Sequence, residues 1–149
     1  MTSLTRKSLA VVSLCLLMSG PKVLAQVAES VTAENFGAVT TAYATLGTTF
    51  YAVVTINGAP ADANDVVGIF VGSELRGKQA VIVQAGVAYL NAQIKHPGGA
   101  ETVTFKVYDD SEKLVYPVTG TISIDSATGV ILGSFDGSSV VAAAGSAPG

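Results

Sequence analysis

Three stretches of this chain alternate their side chains with a period of two, which a half-buried β-strand requires and an α-helix cannot use. In residues 50–56, Phe50, Ala52, Val54 and Ile56 share one face, while Tyr51, Val53 and Thr55 share the other. Residues 88–94 repeat the arrangement, with Ala88, Leu90, Ala92 and Ile94 against Tyr89, Asn91 and Gln93. Residues 102–108 set Val103, Phe105 and Val107 against Thr102, Thr104, Lys106 and Tyr108. β-Branched and aromatic residues at this period fit a pleated surface with one buried face. Turn chemistry bounds each run: Asn57-Gly58-Ala59-Pro60, His96-Pro97-Gly98-Gly99 and the polar Asp109-Asp110-Ser111-Glu112-Lys113.

Shorter apolar runs lie between and after these three. They are Val66 to Val71, Gln79 to Val83, Leu114 to Tyr116, the pair Ile122 and Ile124, and Val130 to Leu132. Pro117 marks a strand end or an edge, because proline cannot donate to a ladder. Short strands spaced about ten residues apart, with turns between them, predict an all-β chain folded as a single antiparallel sandwich of about seven or eight strands. That domain is expected over residues 48–137. A leader over residues 26–47 is expected to be irregular or an exchangeable strand, and the small-residue tail over 138–149 is expected to be flexible.

Three pieces carry a resemblance: AVVTING at 52–58, NDVVGIFVGSELRG at 64–77 and ETVTFKVYD at 101–109. Their order and spacing resemble an immunoglobulin-like β-sandwich module of secreted bacterial surface proteins. The resemblance covers roughly half of the chain that follows the signal sequence. It implies a fold and an extracellular address, and no catalytic residues. Relatives of that kind often carry a cysteine where this chain has Leu75, so a role tied to that thiol does not transfer.

The first 25 residues read as a secretory signal peptide. Arg6-Lys7 supplies the basic start, residues 9–18 the apolar run, and Val23-Leu24-Ala25 the small or apolar positions before a cut after Ala25. The apolar run is too short to cross a hydrocarbon layer of about 30 Å as a helix. Cleavage removes Cys15, the only cysteine, and leaves five basic residues against eleven acidic ones. A chain with so few cations lacks the basic patch on which nucleic-acid affinity rests, so no nucleic-acid partner is expected. Membrane insertion after cleavage is not expected either.

The candidate site residues are few. Glu74 and Arg76 lie two apart and Gly77 follows, a motif that reads as a structural ion pair fixing strand register, with Glu101, Lys78 or Lys106 as further partners. Asp62, Asn64 and Asp65 offer hard oxygens on a turn and form a speculative calcium site. The distal glutamate and glycine of a dedicated calcium loop are missing, and Asx residues also stabilise turns unaided. Asp109, Asp110 and Glu112 pose the same question more weakly. His96, the single histidine, lies in a turn and is expected to be solvated. Tyr51, Tyr89 and Tyr108 face outward on three strands and form a speculative aromatic platform for sugar rings, or cross-strand pairs that support a sheet.

No G-x-S-x-G, phosphate loop or dinucleotide fingerprint occurs, so neither catalysis nor a cofactor is expected. The expected function is a secreted, non-catalytic structural or adhesive component of an extracellular surface, matrix or filament. Its expected partners are copies of itself, other extracellular proteins or a polysaccharide. One sharper version of this reading has the leader or the tail add a strand to an open edge of a neighbour. The alternative is a small carbohydrate-binding module using the tyrosine face. Intact-mass analysis of the exported protein should give a chain beginning at Gln26. Retention of residues 1–25 would contradict the signal-peptide reading.

Overall fold

The computed structural model describes residues 29–30, 36–43, 47–125 and 130–146. The signal-peptide reading of residues 1–25 lies outside them. Among the described residues there is no helix, and twelve strands form two packed sheets. In chain order the strands are β1 (Glu29–Ser30), β2 (Gly47–Ile56), β3 (Ala59–Pro60), β4 (Val66–Val71), β5 (Glu74–Ala80) and β6 (Ile82–Gln84). They continue with β7 (Val87–Lys95), β8 (Ala100–Asp109), β9 (Leu114–Pro117), β10 (Ile122–Asp125), β11 (Val130–Gly133) and β12 (Val140–Ala143). The all-β sandwich expected from the alternating runs is thus present, with more strands than expected because several are only two to four residues long.

Sheet I has the order β1-β9-β8-β4-β5, with β10 on β8 beside β9. All of its pairings are antiparallel. Sheet II has the order β11-β2-β7-β6, with β12 and β3 also on β2. Here β11 and β12 run parallel to β2, one after the other along the same side, so sheet II is mixed rather than wholly antiparallel.

The alternation explains the burial. Along β2 every second residue from Thr48 to Ile56 is buried, and along β7 the same holds from Ala88 to Ile94. Val103, Phe105 and Val107 supply the facing side from β8. Phe50 and Phe105 meet edge to face across the two sheets, with centroids 5.4 Å apart at 88°, the geometry that aromatic quadrupoles prefer. A second, smaller cluster lies on the outer face of sheet I. There Val66, Tyr108 and Val115 are buried under Phe36, which also meets Phe70 edge to face at 5.5 Å.

The C-terminal stretch differs from expectation. The expected flexible tail from 138 instead contains β12, with Val141 and Ala143 buried in the core. Its backbone is tied on both sides: Asn57 N donates to Ala143 O at 2.9 Å, and Ala144 N donates to Pro117 O at 3.1 Å. The described part of the leader docks on its own sandwich, β1 on β9 and Thr40 N on Leu75 O at 2.9 Å.

The turn into this tail rests on Gly133, whose φ is +88°. A β-carbon there would run into the backbone carbonyl of Tyr51, the residue it pairs with. Gly133→Ala should therefore destabilise the fold by more than about 1 kcal/mol, read as a lower denaturant midpoint, with the amides of β11 exchanging faster than those of β8.

Candidate functional site

The start of β5, residues 74–77, builds the most elaborate polar arrangement among the described residues. The pairing of β4 with β5 slips between Ile69 and Phe70, so that Ile69 opposes Gly77 and Phe70 opposes Leu75. Arg76 is the extra residue of this bulge, and a bulge re-aims the side chain it carries. Its guanidinium is buried and fully engaged. Nε–H donates to Glu74 Oε2 at 2.7 Å, and one terminal N–H group donates to Glu101 Oε1 at 2.8 Å. The other terminal nitrogen donates to Lys95 O at 3.3 Å, and the cation lies 4.1 Å from the Tyr43 ring centroid. Burial alone would depress the Arg76 pKa, and the hydrogen bonds it donates to Glu101 and Glu74 outweigh it and hold the group above its ordinary value. Gly77 supplies the close approach behind this arrangement, since a β-carbon there would lie 2.9 Å from Ile94 Cγ2 and 3.1 Å from Gln93 O on β7. The three residues singled out as a motif therefore join the β5 edge to β7 and β8.

His96 departs from expectation: it is fully buried, not solvated. Gly98 N donates to its Nδ1 at 3.3 Å, which makes Nδ1 the acceptor and leaves Nε2–H to donate to Thr48 Oγ1 at 3.1 Å. The ring thus fastens the β7–β8 turn to the start of β2, as a structural member beside the Arg76 cluster.

The speculative calcium residues do not converge. Asp65 turns inward, is buried, and spends both oxygens on backbone donors: Asp62 N at 2.7 Å and Asp110 N at 2.9 Å. Burial pushes its carboxyl above the ordinary range, against the downward pull of those two N–H groups. Asp62 and Asn64 remain exposed at the surface. In the second acidic turn, Asp109 accepts from Ser111 N and Oγ, Asp110 pairs with Lys113 at 2.6 Å, and Glu112 accepts from the Tyr116 hydroxyl. Among the described residues no group of three or more His, Cys, Asp or Glu is arranged to hold a metal.

The tyrosine platform is split. Tyr51 and Tyr89 share the outer face of sheet II, whereas Tyr108 lies on sheet I, buried under Phe36 with Val66 and Val115. The ring that joins the first two is Phe135, stacked on Tyr51 at 4.4 Å and edge-on to Tyr89 at 5.6 Å. Beside it lies an open groove of about 350 Å³ lined by Ile82, Gln84, Tyr89, Asn91 and Phe135. Sequence reasoning missed Phe135; its only signal was a lone aromatic in the polar stretch Ser134-Phe135-Asp136-Gly137.

A second groove of about 350 Å³ opens along one side of the sandwich, between β10 and the β11–β12 line. Its floor is the core pair Phe50 and Phe105, and Ile122, Leu132 and Val140 form its rims. The edges of the two sheets differ sharply. Thr40 covers part of the β5 edge and β1 covers β9, whereas among the described residues no strand pairs with the outer side of β6 or β11.

Compared with family models, with curated proteins and with solved structures, the chain matches none.

Removing one partner of a buried, hydrogen-bonded ion pair leaves the other charge stranded. Glu101→Ala should therefore cost about 3 kcal/mol of unfolding free energy, measured by denaturant titration, whereas the same change at the half-exposed Glu74 should cost less. The Glu74 carboxyl is held below its ordinary 4.5, first by the Arg76 hydrogen bond and then by Thr40. Its contribution is complete above pH 4.5 and is lost as pH falls through the depressed value. Glu74→Gln should flatten that acid limb of the stability curve and leave the neutral limb parallel to wild type.

Proposed function

We propose that this protein is a secreted, non-catalytic β-sandwich that serves as a structural or adhesive component of an extracellular surface, matrix or filament. The observation that carries this reading is the state of sheet II. Among the described residues no strand pairs with the outer side of β6 or β11, and β6, β11 and β12 contain no ionisable residue. Soluble sandwiches ordinarily blunt such edges with charge, proline, bulges, a covering segment or very short strands, because an unpaired edge is a template for another chain, and among the described residues β6 and β11 have only their shortness. The sequence resemblance to modules of secreted bacterial surface proteins and the signal-like residues 1–25 support the extracellular address. The polar groups that would suggest catalysis elsewhere are instead bound into structure: Arg76 by two carboxylates, His96 by Thr48 and Gly98, Asp65 by two backbone amides.

A carbohydrate-binding function is the second reading, and the specific observation in its favour is the Tyr51–Phe135–Tyr89 cluster with Asn91 and Gln84 beside it. Aromatic faces flanked by amides suit the apolar face and hydroxyl rim of a pyranose. Light scattering across a concentration range, with negative-stain imaging, separates the two readings. Assemblies that grow with concentration are the expected result. A monomer at every concentration, joined to glycan binding that Phe135→Ala abolishes, would replace the structural reading with the carbohydrate one.

A further inference from the structure

We propose that residues 36–43 are a detachable strap lying on a peptide-docking surface of sheet I, which accepts a polypeptide segment with a phenylalanine seated over Gly68. The surface lies on the other sheet from β6 and β11 and goes beyond the reading above.

The first argument is the socket. Gly68 lies on β4 opposite Lys78 on one side and Lys106 on the other, so both lysines share its face. A β-carbon at Gly68 would come within 2.7 and 2.8 Å of two ring carbons of Phe36, so the missing side chain makes the room that the ring occupies. Val66, Tyr108 and Val115 are buried against the same ring, and Phe70 meets it edge to face at 5.5 Å. The second argument is the kind of ligand. Lys78 Nζ donates to Gly37 O at 2.7 Å, and Thr40 N donates to Leu75 O at 2.9 Å on the end strand β5. The Tyr43 ring centroid lies 4.1 Å from the Arg76 guanidinium, and Thr40 shares the Glu74 carboxylate. Ring socket, carbonyl donor, strand edge and cation each meet a group that a polypeptide presents, and the occupying segment reads Phe-Gly-x-x-Thr-x-x-Tyr. A peptide laid on a sheet edge with its side chains in pockets is an established mode of recognition.

The third argument is separability. No residue of 36–43 belongs to the core cluster between the sheets, so the strap can leave without opening the sandwich. Phe36 is held at φ +73° and Gly37 at φ +78°, a left-handed backbone that a bulky residue rarely adopts. Such strain persists only where the surroundings impose it, and it collects at clamps and switches. A segment that presents the same ring on a relaxed backbone therefore competes with the strap for the socket. The strap is a built-in ligand, and it weakens the apparent binding of any incoming segment by the fraction of molecules in which it is open.

The experiment uses the chain with its leader intact and a fluorescent synthetic peptide of residues 35–43, beside a control peptide with Phe36→Ala. Fluorescence anisotropy measures binding to the wild type, to Phe36→Ala, which empties the socket, and to Phe36→Ala/Gly68→Ala, which puts a methyl group into it. Each variant is checked for wild-type circular dichroism. Where one fails to fold, Phe36→Leu replaces Phe36→Ala, and Lys78→Ala, at an exposed residue, replaces Gly68→Ala. The expected result is that Phe36→Ala binds the peptide at least about tenfold more tightly than the wild type, because its strap no longer competes. The control peptide should not bind, and the second substitution should remove the gain. In the wild type the Thr40 amide should exchange with solvent faster than the amides of β8, since the strap opens without global unfolding. A Phe36→Ala chain that does not bind the peptide, or binds the control equally, would overturn the docking surface. Equal binding by the wild type and Phe36→Ala, or a Thr40 amide that exchanges only as slowly as those of β8, would overturn the detachable strap. Undiminished binding by the doubly substituted chain would overturn the socket at Gly68.

Discussion

The burial of one face of β2 against one face of β8 holds this structure together. Every other strand hangs from one of these two, directly or through a neighbour. β8 carries β4 on one side and both β9 and β10 on the other, while β2 carries β7 and β3 on one side and both β11 and β12 on the other. Each inward Phe or Val on these strands contributes roughly 1.5–3 kcal/mol by leaving water. The two longest strands, at ten residues each, gather most of that effect. The short strands need no stability of their own. A two-residue β3 or a four-residue β12 is far too small to persist alone, and each persists because a finished strand offers it a ladder.

The polar cluster at Arg76 settles how the two sheets are joined where the chain passes between them. Burying a guanidinium costs more than a single exposed pair returns, so the arrangement holds only if each donor is satisfied. Glu74, Glu101, Lys95 O and the Tyr43 ring together achieve this, and among the described residues no buried side-chain nitrogen or oxygen lacks a partner. The bulge at Ile69/Phe70 makes it possible by turning Arg76 out of the ordinary alternation and toward β7 and β8. His96 then anchors the following turn to Thr48. Hydrophobic burial sets which face points inward, and these polar ties set the register in which the faces meet.

Much of this was legible in the sequence, for a plain physical reason. Where a strand is long and half-buried, as at residues 50–56, 88–94 and 102–108, the period of two is imposed by water on one side and core on the other. Glu74 and Arg76 were legible as a pair, with Glu101 among the candidate partners, because two residues apart on an extended chain is the same face. What escaped notice depended on distant segments. β12 is Val140-Val141-Ala142-Ala143, which has no polar alternation because small residues serve on both faces. Tyr108 does point away from the core as its period requires, and Phe36, some seventy residues earlier, covers it. His96 has turn residues on both sides, and its burial follows from Thr48 arriving beneath it. The pairing of Phe135 with Tyr51 and Tyr89 arises only because β11 lies parallel beside β2.

The two sheets differ in how their edges are treated. Both sheets are built from one composition, poor in charge, so composition alone would leave their edges equally bare. Sheet I nevertheless shows several protective devices: a bulge on the β4–β5 pair, Glu74, Arg76 and Lys78 on β5, Pro117 ending β9, and leader segments laid along β5 and β9. At β6 and β11 sheet II has only the shortness of the strands, three and four residues, and among the described residues no charge, proline, bulge or covering strand. The few cations that remain after residue 25 lie on or next to the β5–β8 region, at Arg76, Lys78, Lys95, Lys106 and Lys113, and one lysine moved to β6 or β11 would have closed either edge to added strands. The protected sheet carries the register-setting polar network, where a slip would strand a buried charge. Sheet II carries an apolar row, Ile82, Tyr89, Val53 and Val140, that ends at both sides on an exposed aliphatic residue.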